Sequence, residues 1–285
     1  MDKKTSFIQL STAMIIFGTI GFFSRLSGLP SMELVFIRCV SAVIFLAIYW
    51  FFSGWYKKEI WAIKETSIVI IGGILLVLNW LLFFSSLEHT AVTIAISIYN
   101  LAPIIVLLIS WVFFKAPIQK LGLLSVVLAF IGSLFISGIT LKAMQNGQSF
   151  VGPLDSIAAA FFYAFVILTG KKIKRLSPYA VTLIQTLTGV VMLFPFVNYS
   201  LYTELTLSEW FYSILTGVVH TGVVYLLFYG GIRRLKVTTV SALTYLDPLV
   251  AILIDVFISG FVPSYLQVLG IIIIFVALSY TLIDH

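Results

Sequence analysis

Apolar runs of about 20 residues recur along the chain, separated by short polar breaks, and each is long enough to cross a bilayer as a helix. The pattern predicts ten spans: 7–25, 31–52, 66–87, 90–114, 119–138, 153–171, 178–197, 208–232, 237–259 and 264–283. Many of the connections are only a few residues long, so chain neighbours run antiparallel. Gly, Ser and Pro mark the turns, as at Ser27-Gly28-Leu29-Pro30, Ser177-Pro178 and Ser259-Gly260 before Pro263. Two spans are interrupted. The stretch 238–259, TTVSALTYLDPLVAILIDVFIS, carries Asp247-Pro248 near its middle, and 93–112, TIAISIYNLAPIIVLLISWV, carries Pro103. Proline lacks an N–H and clashes with the carbonyl four residues back, so both helices should kink or open there.

The two interrupted spans lie 145 residues apart, and the offset extends well beyond them. It sets Gly72 on Gly217, Leu81-Leu82-Phe83 on Leu226-Leu227-Phe228, Val92-Thr93 on Val237-Thr238, Pro103 on Pro248 and Phe130 on Phe275. An offset of 146 aligns the first spans, Phe17 over Tyr163 and Arg25 over Lys171. The expected organisation is a five-helix repeat at 1–138, an extracytoplasmic linker at 139–152, and a second five-helix repeat at 153–285. Five is odd, so the second copy enters the membrane from the opposite face. The fold class is therefore an all-α membrane protein, ten transmembrane helices in a 5+5 inverted repeat. Broken helices at matching places in two such halves point to a carrier's mid-membrane site.

Composition agrees with this class. Of 285 residues, 61% are hydrophobic and 10% charged, whereas soluble domains run near a quarter charged. The net charge of +6 belongs to topology rather than to nucleic acid. Of the 17 Lys and Arg, all but Arg25, Arg38 and Lys142 fall in segments on one side of the membrane, which puts both termini in the cytoplasm of a cell-membrane protein. Trp50, Trp55, Tyr56 and Trp61 form an interfacial belt on that side. The apolar run at 7–23 reads as a retained first helix, since no small-residue cleavage site follows it. The single cysteine, Cys39, rules out an intramolecular disulfide and a Cys-based metal site.

Polar groups at membrane depth are the candidate chemistry, because each is expensive there without a partner. Asp247 is the sharpest: it would bind a cationic moiety or a proton, or else cap backbone freed by Pro248. Asp255, two turns further out, would line an outer vestibule or rest in the interface. His220 would relay protons or bond a substrate, or simply join two helices. The repeat overlays Asn79-Trp80 on Val224-Tyr225 and Tyr99-Asn100 on Thr244-Tyr245. With Phe17 and Tyr163 these side chains would gather round one axis, forming aromatic walls with a few orienting hydrogen bonds. Pro103 and Pro248 are the candidate gating points. Arg38 would neutralise a carboxylate, attract an anion, or snorkel outward, since it lies about 10 Å along its helix from Ser31.

Together, ten spans, the inverted repeat, the fourth-helix starts at Val92-Thr93 and Val237-Thr238 and the mid-helix prolines resemble the drug/metabolite transporter superfamily, most closely its EamA type. The resemblance covers nearly the whole chain, and Arg38 sits where that family often has an arginine. The family often ends each fourth helix in Gly-Glu; Lys115-Ala116 and Gly260-Phe261 depart from this. The resemblance implies substrate passage by alternating access, as efflux or exchange.

Phosphate-loop, zinc-hydrolase and serine-hydrolase motifs are absent, as are an arginine-rich voltage sensor and a potassium-filter sequence. No enzyme activity, cofactor or metal is expected. With the amino-acid class that the EamA resemblance implies, the expectation is a secondary active transporter of a small metabolite such as an amino acid, driven by the substrate gradient or by protons. The alternatives are an importer of a polar nutrient or a multidrug carrier and, more remotely, a membrane scaffold or sensor, or an enzyme acting on lipid headgroups.

Overall fold

The computed structural model describes residues 2–90, 92–115, 119–137 and 150–283. Eight helices among them are long and apolar enough to cross a membrane: α1 (Lys3–Leu26), α2 (Ser31–Phe52), α3 (Ile63–His89), α4 (Ile94–Phe113), α5 (Lys120–Ser137), α6 (Val151–Lys172), α8 (Leu207–Ile232) and α9 (Val237–Ile258). Two shorter apolar helices, α7 (Pro178–Leu193) and α10 (Tyr265–Ser279), complete the ten. The linker expected at 139–152 lies almost entirely outside the described residues.

Four helices are interrupted, and each interruption has a local cause. In α4 the halves are Val92–Tyr99 and Ala102–Phe114; in α9 they are Val237–Leu243 and Leu246–Ser259. Tyr99 and Thr244 stand four residues before Pro103 and Pro248, where the proline ring clashes with the preceding turn, and each proline then falls in the first turn of the second half-helix. The helix α1 divides after Phe17, at Gly18-Thr19, where the Thr19 hydroxyl donates back to the Ile16 carbonyl at 2.8 Å. The helix α8 widens into a π segment over Thr216–Val223, with the Thr221 hydroxyl reaching the Thr216 carbonyl five residues back at 3.4 Å. The sequence predicts the proline breaks; those in α1 and α8 carry no proline.

The halves meet as a pseudo-twofold pair, in which equivalent positions touch at the axis. Trp80 Nε1 donates to the Tyr225 hydroxyl at 3.2 Å, and the Tyr245 hydroxyl donates to the Asn100 carbonyl at 3.0 Å; both pairs are 145 residues apart. The helices α5 and α10, the fifth of each half, pack along one another so closely that a Cβ on Gly132 would lie 2.8 Å from the Gly270 carbonyl.

The ends are tied by polar contacts. At the lysine-rich end, Glu65 Oε2 accepts the backbone N–H groups of Lys174, Arg175 and Leu176 at 3.3, 2.9 and 3.3 Å. Glu59 accepts the Ser177 N–H and hydroxyl, each at 2.6 Å, and Lys171 Nζ caps the end of α8 by donating to the Ile232 and Leu235 carbonyls at 2.7 and 2.5 Å. At the other end the Tyr202 hydroxyl donates to the Glu33 carbonyl at 2.8 Å. Burial and the Glu33 carboxylate push that phenol's pKa up, so it keeps its proton.

Candidate functional site

The four interruptions are linked in a row. His220, in the π segment of α8, shares a 2.7 Å hydrogen bond between Nε2 and the Thr19 hydroxyl at the α1 break. Gly18, beside Thr19, lies against the α9 break: a Cβ there would sit 2.6 Å from the Asp247 carbonyl and 2.6 Å from Val250 Cβ. Tyr245, at the α9 break, bonds the Asn100 carbonyl at the α4 break. Broken helices are tolerated at membrane depth where protein or a wet cavity, rather than lipid, meets the freed backbone.

An aromatic cluster lies beside this row. Phe17 meets Tyr225 edge-on at 5.2 Å; Tyr225 meets Trp80 at 5.6 Å and Phe228 at 5.7 Å. Phe228 stacks on Tyr163 at 6.3 Å, Tyr163 on Tyr99 at 5.8 Å, and Tyr99 contacts Phe83 at 4.4 Å. The Asn79 amide donates to the Tyr99 hydroxyl at 3.3 Å and to the Ala159 carbonyl at 2.8 Å, tying α3 to α4 and α6. Asp247 is half-buried and Pro248 is buried, and the Asp247 carbonyl lies against Gly18, the residue after Phe17. Phe17, Asn79, Trp80, Tyr99, Tyr163, Tyr225 and Asp247 are thus brought together, from spans of both halves.

The remaining sequence-marked residues take other places. Tyr245 packs in a separate apolar cluster with α5 and α10, and reaches the site only through its hydroxyl. The Asn100 side chain is half-buried, and its Nδ2 has no hydrogen-bond partner. Asp255 is at the end of the bundle away from the lysine-rich loops, 3.8 Å from Arg25, in a pair with Arg25 exposed and Asp255 partly so. Such a pair contributes at most about 1 kcal/mol. His220 is buried with its ring 5.3 Å from Phe23. Because the Thr19 hydroxyl's one proton goes to Ile16, His220 Nε2 is assigned as the donor to Thr19. Its Nδ1 is then a buried acceptor without a partner.

Arg38 stands out here in a way its position in the sequence did not suggest. It is 1% exposed, so it does not snorkel. Its Nε donates to the Thr221 hydroxyl at 3.2 Å, while Nη1 and Nη2 are buried with no hydrogen-bond partner. The guanidinium lies over Trp80, 4.9 Å from the ring centroid, and 5.8 Å from that of Phe84. A desolvated cation–π contact contributes about 2 kcal/mol, against several kcal/mol for taking the ion out of water. Among the described residues no carboxylate oxygen lies within 4 Å of it. Elsewhere, an outward-facing apolar groove between α3 and α7, lined by Ile70, Ile74, Ile184, Leu187 and Val191, holds none of the marked residues.

Ten apolar helices whose four interruptions touch one another define a polytopic membrane protein built like a carrier. The chain belongs to the EamA-like transporter family, whose model matches it twice, over residues 5–138 and 151–283. It is 42% identical over 282 residues to the "Uncharacterized transporter YxxF" of Bacillus subtilis (strain 168), covering 99% of this chain and 91% of that one. It is 26% identical over 224 residues to "Protein RarD" of Salmonella typhi, covering 76% and 71%. A crystal structure of a protein 16% identical in sequence superposes with a TM-score of 0.79 over 98% of both chains, a likeness of fold alone.

Proposed function

We propose that this transporter is a secondary active carrier that exports or exchanges a small metabolite such as an amino acid by alternating access. The observation that carries this reading is the linked row of four helix interruptions beside an aromatic cluster and Asp247. Rigid units joined at such interruptions can rock, and a site between them can face each side in turn. The repeats at 1–138 and 153–285 are the rocking units, joined by the linker at 139–152. Pro103 and Pro248 set the hinges, and Arg25 with Asp255 closes the outer end of the α1–α9 seam. Phe17, Trp80, Tyr99, Tyr163 and Tyr225 form the walls. Asn79, Asn100, Tyr245 and His220 supply hydrogen bonds, and Asp247 meets an ammonium group or a proton. The lysine-rich loops orient both termini to the cytoplasm of a cell membrane.

Flux in proteoliposomes under several imposed pH gradients tests the coupling. Transport indifferent to the gradient and to Asp247→Asn ends the proton-coupled version and leaves exchange. A thermal-shift screen of the detergent-solubilised protein against amino acids, nucleosides, amines and polyols tests the substrate class, since a true ligand stabilises by mass action. The aromatic walls also suit a multidrug carrier; stabilisation by many unrelated amphipathic cations and by no metabolite would favour that reading. Uptake of a polar nutrient uses the same site, with the prevailing gradient setting direction.

A further inference from the structure

A buried arginine with both terminal nitrogens unpartnered is an anion receptor awaiting its anion. Arg38 has that form. Its Nε is held by Thr221, its face rests on Trp80, and its Nη1 and Nη2, the two nitrogens that bind a carboxylate side by side, bond to nothing among the described residues. The nearest acid on its own helix, Glu33, already accepts the Asn198 N–H at 3.1 Å. The wall facing Arg38 is the π segment of α8, and such segments are rare and gather at functional sites. That segment approaches α2 closely: a Cβ on Gly217 would lie 2.9 Å from the Arg38 carbonyl and 2.5 Å from Ser41 Cβ. Arg38 is inside the bundle, which removes it from lipid headgroups. Its support, Trp80, bonds Tyr225, and the Tyr225 ring meets Phe17, the neighbour of the Gly18 that touches the Asp247 backbone.

We propose that Arg38 is a carboxylate-binding subsite, so that the transported solute carries a carboxylate as well as whatever group meets Asp247. This rests on the carrier reading and narrows it from small metabolites to carboxylates, zwitterionic amino acids first. A solute lying along Tyr225 would place its carboxylate on the guanidinium at the Trp80 side. Its ammonium would then reach Asp247 at the Phe17 side. The guanidinium is enclosed here, so the carboxylate enters when α2 and α8 separate; the looser π turn is the part of α8 able to give.

The test is transport of three matched probes in proteoliposomes: L-phenylalanine, its methyl ester, and phenethylamine. The same assays follow in Arg38→Gln and Arg38→Lys, each first shown to elute as a single folded species. Wild type should prefer the acid to both carboxylate-free probes. Arg38→Gln should lower the acid-to-ester ratio by about 10-fold or more, the scale of a lost charge-assisted pair. Arg38→Lys, which keeps charge but not the paired nitrogens, should fall between, and it carries the comparison if the Gln variant does not fold. Wild type moving ester and amine but not the acid, or an unchanged ratio in both variants, overturns the subsite and leaves the carrier standing. Wild type moving none of the three contradicts the amino-acid reading and the subsite with it.

Discussion

Replacing Gly18 with alanine isolates the contact between the α1 and α9 breaks. Gly18 has φ −58°, so its backbone accepts alanine without strain, and any objection comes from its neighbours. The added methyl would lie 2.6 Å from the Asp247 carbonyl and 2.6 Å from Val250 Cβ; the first is backbone and cannot swing aside. Overpacking of this kind costs about 1–3 kcal/mol. If the seam parts in the opposite access state, the penalty falls on the closed arrangement alone and shifts the balance roughly 5- to 150-fold toward opening. The readout is the rate at which a membrane-impermeant maleimide labels a cysteine introduced by Val250→Cys, which keeps the Cβ that faces Gly18, applied from the face that bears Arg25. Cys39 is fully buried and stays silent. Gly21→Ala is the control, since nothing lies within 4 Å of its added methyl. Labelling should accelerate in Gly18→Ala and not in Gly21→Ala. Equal rates in a folded Gly18→Ala protein would refute the claim that this contact holds the seam shut.

Other outcomes follow from single contacts. In a double-mutant cycle of Trp80→Phe and Tyr225→Phe, denaturation in detergent should give a coupling near 0.6 kcal/mol and no more than about 1.7 kcal/mol, the range for hydrogen bonds between membrane helices. Zero coupling would mean that the two halves do not meet at these side chains. Thr19→Val strands both nitrogens of His220 and should destabilise the protein by about 1–3 kcal/mol, read as a fall in its denaturation midpoint. Glu65→Gln removes the charge that holds three backbone N–H groups of the 174–176 turn, so hydrogen exchange there should quicken while α5 and α10 exchange as before.

The membrane class, the ten spans and the repeat were legible because each rests on a signal the bilayer enforces: length, apolarity and proline placement. The 145-residue offset predicted more than similarity, since two of the pairs it overlays, Trp80 with Tyr225 and Asn100 with Tyr245, hydrogen-bond across the axis. The aromatic cluster was legible for the same reason. The α1 break and the π segment were not. Gly18, Gly217 and Gly222 are equally good packing residues, and nothing in a single sequence separates a glycine that fits a neighbour from one beside a widened turn. Arg38 was underread because its distance from the helix start allowed snorkelling; only the packing of α2 against α8 shows that water is out of reach. Tyr245 was grouped with the aromatic walls, but the ring points to the α5–α10 side and only its hydroxyl turns inward, a distinction set by helix rotation that spacing does not carry.

The central claim is that one site beside the broken helices is reached alternately from the two sides. Solute counterflow tests it most directly: vesicles holding the purified protein are loaded with unlabelled L-phenylalanine and given a trace of labelled L-phenylalanine outside, with wild type and Asp247→Asn side by side. The account predicts a transient accumulation of label above equilibrium in wild type that saturates with solute and collapses in the variant. Entry that merely follows the gradient, without overshoot or saturation, would contradict it; an overshoot indifferent to Asp247 would remove only that residue from the site.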